Sequence, residues 1–226
     1  MARTLSTITA ILSALLFFAF VIFSAIYILS SPLAVRAMIM ATQGDSNLSR
    51  QQRLDAADLT TRFVRSGSRE EAMTAFYRED IKSGALSIRH LEDVHAVFQH
   101  TWVLGAICAL LVVSILIETY QKMWWEWLRL ALRITAGLCL IVPIFVSLFI
   151  LATFDSLFTS FHKLFFPQGN WQFASDSFLI QIFPEQFWMM CAILLITLIV
   201  LAGLLILFSD YLAHRQRVVL RELRHP

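Results

Sequence analysis

Two histidines are the residues of this sequence best suited to move protons. Asp93 follows His90 by three positions, and His162 lies in an aromatic segment, residues 154–188. On a helix, residues three apart share a face, so a carboxylate there can hold an imidazole in one tautomer and raise its basicity. Since the ordinary histidine pKa is about 6.5, both protonation states are accessible at neutral pH. From residue type and spacing alone, ordinary interfacial histidines are the expected reading, and acid and base catalysis is the alternative.

A metal site would use the same region of the chain. His90, His95 and His100 repeat every five residues, which rotates them around a helix rather than aligning them. Neither an HExxH motif nor a pair of CxxC motifs is present. We therefore expect no metal, and we expect His95 and His100 to serve packing or the membrane interface.

The composition is that of a membrane protein. Of 226 residues, 58% are hydrophobic and only 15% are charged, against about 25% charged in soluble domains. Four apolar runs approach the roughly 20 residues that a spanning helix needs. They predict an all-α, polytopic membrane protein with four transmembrane helices and a large helical segment between spans 1 and 2. The expected spans are residues 5–29, 102–119, 130–153 and 187–208.

The first run is expected to be a retained anchor, because it is longer than a signal-peptide core and follows only one basic residue, Arg3. The three cysteines, Cys108, Cys139 and Cys191, fall within the predicted spans. They are expected to be apolar filler rather than a disulfide or a reactive thiol. Pro143 is expected to kink the third span.

Basic residues predict the orientation. Short cytoplasmic segments are enriched in Lys and Arg, which places residues 120–129, residues 210–226 and both termini in the cytoplasm. Residues 31–100 and 154–186 would then be extracytoplasmic. The basic residues counted on the cytoplasmic side are Arg3, Lys122, Arg129, Arg133, Arg215, Arg217, Arg221 and Arg224.

Helix signals occur throughout residues 31–100. From residue 85 onward, apolar residues recur every three or four positions, which predicts a helix that extends the second span beyond the membrane. Gly67 and Gly84 are expected to mark breaks. Two capping boxes precede this stretch: they are Ser49 with Gln52, predicting a helix over about 50–64, and Ser68 with Glu71, predicting one over about 69–77.

The aromatic segment 154–188 is expected to be a loop at one membrane face. Its rings suit the headgroup region or the wall of a lipid-binding pocket, and simple packing is the plainer reading. These rings include Trp171 and the phenylalanines at 154, 158, 161, 165, 166, 173 and 178.

Two blocks of motifs resemble the bacterial lipoprotein intramolecular transacylase family. The first block is His90 followed by Asp93 and Val94, just before a span. The second and more specific block reads FHxxFFP, WxF, DSxLI and FPxxFW. Its residues are Phe161, His162, Phe165, Phe166, Pro167, Trp171, Phe173, Asp176, Ser177, Leu179, Ile180, Phe183, Pro184, Phe187 and Trp188.

The resemblance implies an acyltransferase acting on lipoproteins in the bacterial cytoplasmic membrane. Such an enzyme moves the sn-2 acyl chain of an S-diacylglyceryl-cysteine to the α-amino group of the same cysteine, at the outer face. His90 and His162 are then the expected acid and base, in roles left open, with Asp93 orienting His90. Asp176 is expected to orient His162 or bind the substrate ammonium. Other expected substrate contacts are Trp171, Phe173, Arg89, Arg78 and Tyr77.

A diacylated lipoprotein and membrane lipid are the expected partners, and no cofactor is implied. The net charge of +2 does not suggest a nucleic-acid ligand. The alternative functions are an extracytoplasmic metal-binding protein and a non-catalytic membrane accessory protein.

Overall fold

The fold was analysed in a computed structural model that describes residues 2–42, 47–80 and 82–224. Within these residues the chain forms eight helices and no strand, which confirms the all-α prediction. The helices are α1 (Ala2–Leu29), α2 (Pro32–Ala41), α3 (Arg50–Ser66), α4 (Arg69–Glu79), α5 (Gly84–Lys122), α6 (Trp125–Phe165), α7 (Phe178–Ile182) and α8 (Glu185–Arg224).

Four of the described helices are long and apolar enough to cross a membrane, and the chain is a multi-pass membrane protein. The candidate spans lie in Thr7–Leu29, Gly84–Lys122, Trp125–Ile150 and Glu185–Arg217. The exact membrane boundaries stay predictions.

Helix α5 is much longer than a span requires. Its 39 residues measure about 58 Å at 1.5 Å per residue, roughly twice the thickness of a hydrocarbon core. The predicted extension of the second span is therefore present as one continuous helix. Its first half, residues 84–101, includes His90 and the charged residues Arg89, Glu92 and Asp93. The location of this half outside the membrane stays a prediction.

One compact unit is formed by Met1–Ala25, Gly105–Ser147 and Ile196–Pro226. Ala10 and Phe17 pack with Leu128 and Ala131 in its core. The approach of α8 to α6 requires a glycine, because a Cβ on Gly203 would lie 2.8 Å from the Cβ of Cys139. Small residues allow such close helix contacts in membranes. In the same unit, Arg129 and Arg133 of α6 form ion pairs with Asp210 of α8.

The other compact unit comprises Ile26–Leu104 and Leu148–Leu195, and it contains all the predicted site residues. Its core gathers residues from α2 to α5, from α7 and from the start of α8. The largest fully buried side chains of this core are Phe76, Ile39 and Ile182.

The first predicted capping box is confirmed and the second is wrong. The Ser49 hydroxyl accepts from Gln52 N while the Gln52 side chain accepts from Ser49 N. Ser68 makes no side-chain cap, because its backbone ψ of 88° is not the extended angle of a cap, and its hydroxyl lies 3.1 Å from that of Ser66. Gly67 ends α3 as predicted, in the left-handed conformation with φ 74°.

Asp80 ties the start of α5 to α7. One carboxylate oxygen accepts from Ser83 N at 2.8 Å. The other accepts from the Ser83 hydroxyl and, at 3.0 Å, from Phe178 N, the first residue of α7. Burial alone raises the pKa of Asp80, but the hydrogen bonds from Ser83, Phe178 and Lys82 together outweigh it and lower this pKa below its ordinary value.

The prediction that residues 154–188 form a loop is only partly right. Helix α6 continues to Phe165 after a break at Thr153, whose φ of −155° and ψ of 49° are non-helical. The interruption thus lies well beyond Pro143, which remains inside the helix. The continuation has a simple cause, because the phenylalanines at 154, 158, 161 and 165 follow the helical period. Within residues 154–188 the chain is irregular only from Phe166 to Ser177 and between α7 and α8.

Candidate active site

The two predicted histidines lie side by side although they come from different helices. His90 projects from the first half of α5, and His162 from the part of α6 beyond Thr153. Their ring centroids are 6.0 Å apart and their planes differ by 28°. Both are nearly buried, with 7% of His90 and 8% of His162 exposed. An atom between the rings could therefore approach both of them.

Aromatic side chains enclose the histidine pair. Phe166 lies against both rings, with centroids 4.8 Å from His90 and 5.7 Å from His162. Trp171 packs on His162 at 4.9 Å and Phe173 on His90 at 5.7 Å. The irregular segment that follows α6 thus supplies an apolar wall on the side of each imidazole. The predicted binding residues Trp171 and Phe173 belong to this wall.

A backbone hydrogen bond fixes the tautomer of His162. Its Nδ1 lies 2.8 Å from the carbonyl oxygen of Phe158, one turn earlier in α6. A carbonyl can only accept, so Nδ1 carries the proton and Nε2 of the neutral ring keeps its lone pair. Burial lowers the pKa of His162, and the bond to Phe158 opposes this only in part. His162 is therefore a neutral ring with an unprotonated Nε2 at neutral pH.

His90 is held neutral more strongly. Burial and the nearby His162 lower the pKa of His90 to about 4, while Asp93 and a contact with Asn170 act in the opposite direction. Two buried imidazoles at this separation disfavour simultaneous protonation. The pair can carry one proton at a time.

Asp93 contacts the segment after α6 rather than the ring of His90. Its Oδ2 accepts from Gln168 Nε2 at 2.6 Å and from Asn170 Nδ2 at 2.5 Å. The effect of the carboxylate on His90 is therefore a charge effect, with no hydrogen bond between them among the described residues. The described hydrogen bonds of Asp93 thus go to Gln168 and Asn170, and the role of Asp93 in orienting His90 stays a prediction.

The sequence reasoning missed two amides that contact Asp93: Asn170, which lies beside His90, and Gln168, which is exposed and, among the described residues, hydrogen-bonds only to the carboxylate. They flank Gly169, whose φ of 76° is left-handed and whose amide donates to Phe166 O at 3.1 Å. Pro, a polar residue and then Gly in sequence is a turn signal. This signal locates the turn, but it does not reveal that both amides reach Asp93.

In the described part of the chain, the other predicted binding residues make no side-chain hydrogen bond or ion pair with the two rings. Arg89 and Asp176 are exposed. Arg78 is also exposed and pairs with Glu79 at 2.8 Å. The side chain of Tyr77 lies outside the described residues. Roles for these four stay predictions.

The remaining histidines of α5 have other partners. His95 Nδ1 bonds to Val64 O at 2.8 Å, and the exposed His100 bonds to Ala96 O at 2.7 Å in its own helix. They do not converge with His90. The described residues contain no group of three or more potential metal ligands.

The chain is similar in sequence to proteins of a known family. The sequence profile of the family described as "Lipoprotein intramolecular transacylase Lit" matches residues 7–188. An uncharacterized protein of Aquifex aeolicus (strain VF5) is 24% identical over 177 residues, covering 74% of this chain and 76% of the relative.

The fold is also similar to that of a solved protein. A structure of the membrane integral lipoprotein intramolecular transacylase Lit from Bacillus cereus matches with a TM-score of 0.72 and 17% identity, covering 96% of this chain and 99% of that one. A second structure from Bacillus cereus, with a histidine replaced by arginine, matches with a TM-score of 0.63 and 18% identity, covering 96% of each chain.

Proposed function

Because the chain belongs to the Lit family of lipoprotein intramolecular transacylases, we propose that it converts diacylated lipoproteins to their lyso form. The substrate is a lipoprotein whose N-terminal cysteine carries a thioether-linked diacylglyceryl group. The sn-2 acyl chain leaves its ester and joins the free α-amine of the same cysteine. The observation that carries this proposal is the buried pair of neutral imidazoles, His90 and His162, with ring centroids 6.0 Å apart.

The reaction needs little from the protein besides positioning and one proton transfer. The neutral amine nitrogen attacks the ester carbonyl, forming the new C–N bond and a tetrahedral oxyanion. Collapse of this intermediate breaks the C–O bond to the glyceryl oxygen. One proton moves from nitrogen to that oxygen, so the product is an isomer of the substrate. Since donor and acceptor belong to one molecule, holding them close supplies much of the rate.

The histidine pair suits this single proton. An α-amine has a pKa of about 7.7–8.0, and an unprotonated imidazole Nε2 can take a proton from the attacking nitrogen. The resulting imidazolium can donate to the oxyanion and then to the leaving oxygen. Because the pair holds one proton at a time, the second ring stays neutral while the first is charged. Which ring takes the proton first remains open in the proposal.

The aromatic wall favours transfer over hydrolysis. Water competes with the amine for the same ester, and a site lined by Phe166, Trp171 and Phe173 admits it poorly. We assign Trp171 and Phe173 to contact with the acyl chain. Arg89, Arg78 and Tyr77 are proposed donors to substrate carbonyls, and Asp176 a proposed partner of the substrate ammonium.

The proposal includes an orientation in the cytoplasmic membrane. Both termini would be cytoplasmic and the histidine pair would be at the outer face, where lipoproteins present their lipidated ends. The excess of basic residues in the short segments supports this orientation. An impermeant thiol reagent should label a cysteine introduced at the exposed Gln172 in intact cells, and labelling only after lysis would contradict it.

The direct test is mass spectrometry of a lipoprotein N-terminal peptide from cells that otherwise make only the diacylglyceryl form. The cells would express wild type, His90→Ala, His162→Ala or, as a matched control, His100→Ala, which changes an exposed histidine of the same helix. Wild type and the control should give an isomer with one N-linked and one O-linked acyl chain. The two site variants should lose this product at equal protein levels. An unchanged peptide with well-expressed wild type would refute the proposed reaction.

A further inference from the structure

Asn170 occupies a position between the carboxylate of Asp93 and the ring of His90. Its Nδ2 donates to Asp93 Oδ2 at 2.5 Å, which fixes the orientation of the side-chain amide. With the NH2 group directed at the carboxylate, Oδ1 must face away from it. The reverse orientation would set two oxygen acceptors against each other.

Two atoms at this position are buried and lack a hydrogen bond of normal geometry among the described residues. They are Asn170 Oδ1, an acceptor, and His90 Nδ1, which can donate. The Asn170 side chain lies close enough to the His90 ring to influence its protonation. Leaving a buried donor and a buried acceptor unsatisfied is unfavourable, because each has given up its hydrogen bonds to water without gaining a partner. A small movement that joins the two atoms would satisfy both.

We propose that Asn170 is a positioning residue for the reaction, whose Oδ1 accepts from His90 Nδ1 and so leaves the His90 Nε2 lone pair facing the substrate. Asp93 then acts on His90 through Asn170, by fixing the orientation of the amide. This inference rests on the proposed function, because it names the group that orients one of the two imidazoles.

The charges around His90 make the tautomer the property that must be controlled. The titratable groups that influence the ring are His162 from α6 and Asp93 from its own helix. Burial keeps the pKa of His90 at about 4, so the ring is neutral at neutral pH. A neutral imidazole can carry its proton on either nitrogen, and only one form is a base at Nε2. His162 has its tautomer set by a backbone carbonyl, and Asn170 is the corresponding acceptor for His90.

Gln168 provides a matched control. It donates to the same oxygen of Asp93 at 2.6 Å, lies in the same turn, and is exposed. Asn170→Ala and Gln168→Ala each remove one amide from the carboxylate, but only Asn170→Ala removes the acceptor for His90. A difference between the two variants therefore reports on the contact with the ring.

The experiment combines turnover with nitrogen NMR of the full-length protein carrying 15N-labelled histidine, in detergent or nanodiscs. The His90 resonances are assigned by their loss in His90→Gln. Wild type and Gln168→Ala should show protonated Nδ1 and unprotonated Nε2 for His90, with turnovers within about twofold of each other. Asn170→Ala should populate the other tautomer and lose at least tenfold in turnover, toward the 10²–10⁴-fold that a general base supplies.

Each other result overturns the inference. If His90 of the wild-type protein carries its proton on Nε2, the inference is wrong, and the spectrum of the wild type alone shows it. Unchanged turnover in Asn170→Ala, or a loss of turnover with an unchanged tautomer, would show that Asn170 does not orient the ring. Equal losses in both variants would assign the effect to the turn. If wild type makes no lyso product, the proposed function fails, whereas the tautomer measurement still decides whether Asn170 orients His90.

Discussion

Replacing Asp80 by Asn should destabilise the part of the protein that holds the candidate site. The carboxylate accepts two hydrogen bonds from Ser83 and one from Phe178 N, besides the contact with the backbone of Lys82. Asn has one acceptor oxygen, and its NH2 group would face either Ser83 or Phe178 with a donor against a donor. An unsatisfied buried donor costs about 1–3 kcal/mol. We expect a loss of about 2 kcal/mol, or about 4–8 °C in Tm for a chain of this size.

The dependence on pH follows from the lowered pKa of Asp80 in the folded state. A carboxyl whose pKa is depressed by folding contributes stability above its unfolded pKa of about 3.9. That contribution is lost as the pH falls through the lower folded value. The difference between wild type and Asp80→Asn should thus be constant from pH 7 to about pH 5 and shrink below about pH 4.

Thermal unfolding of the purified protein in detergent measures both effects. Asp176→Asn is the matched control, because it removes an exposed carboxylate near the start of the same helix, α7. It should change Tm by less than about 2 °C, as expected for an exposed site. Equal shifts for the two variants, or a difference undiminished at pH 3, would refute the assignment of these hydrogen bonds to stability.

Three further substitutions test local geometry by the same unfolding assay. Gly169→Ala forces a left-handed backbone on alanine and should cost about 1–2 kcal/mol, with no steric contribution because its Cβ would meet nothing within 4 Å; an unchanged Tm would contradict this. Gly203→Val should lower the free energy of unfolding by about 1–3 kcal/mol, because its side chain would overpack against Cys139. An unchanged Tm would mean that α6 and α8 can move apart at little cost. Arg65→Gln removes a guanidinium that lies 4.8 Å from the centroid of the Trp102 ring and should lower the free energy of unfolding by about 1 kcal/mol. Arg65→Lys keeps a cation and should lower it by less.

Residue patterns predicted the fold well because they report local physics. Four apolar runs are sufficient to identify spanning helices, and the Ser49 capping box involves residues only three apart. The same locality explains the failure at Ser68, where the spacing is right but the backbone angle is not. The helical period of the phenylalanines from 154 to 165 was present in the sequence and contradicts a simple loop.

The site was predictable in its members but not in its contacts. His90 and His162 were found by residue type and by resemblance, and the structure brings them together. The spacing of His90 and Asp93 suggested a direct contact, yet amides 75 and 77 residues further along the chain occupy that carboxylate. Long-range competition for an acceptor leaves no trace in local spacing. For this reason Gln168 and Asn170 were missed, although their turn was recognisable.

Under the proposed function, the burial of His90 and His162 has two effects on the chemistry: it keeps the rings neutral and it keeps water away from the ester. Burial among Phe166, Trp171 and Phe173 lowers the pKa of both imidazoles, so each ring is an available base at neutral pH. The same burial excludes the water that would hydrolyse the ester and release the acyl chain. An intramolecular transfer permits this enclosure, because its product is an isomer of the substrate and no water is consumed. A hydrolase built on this pair would need a path for water to His90 or His162, and the aromatic wall opposes one.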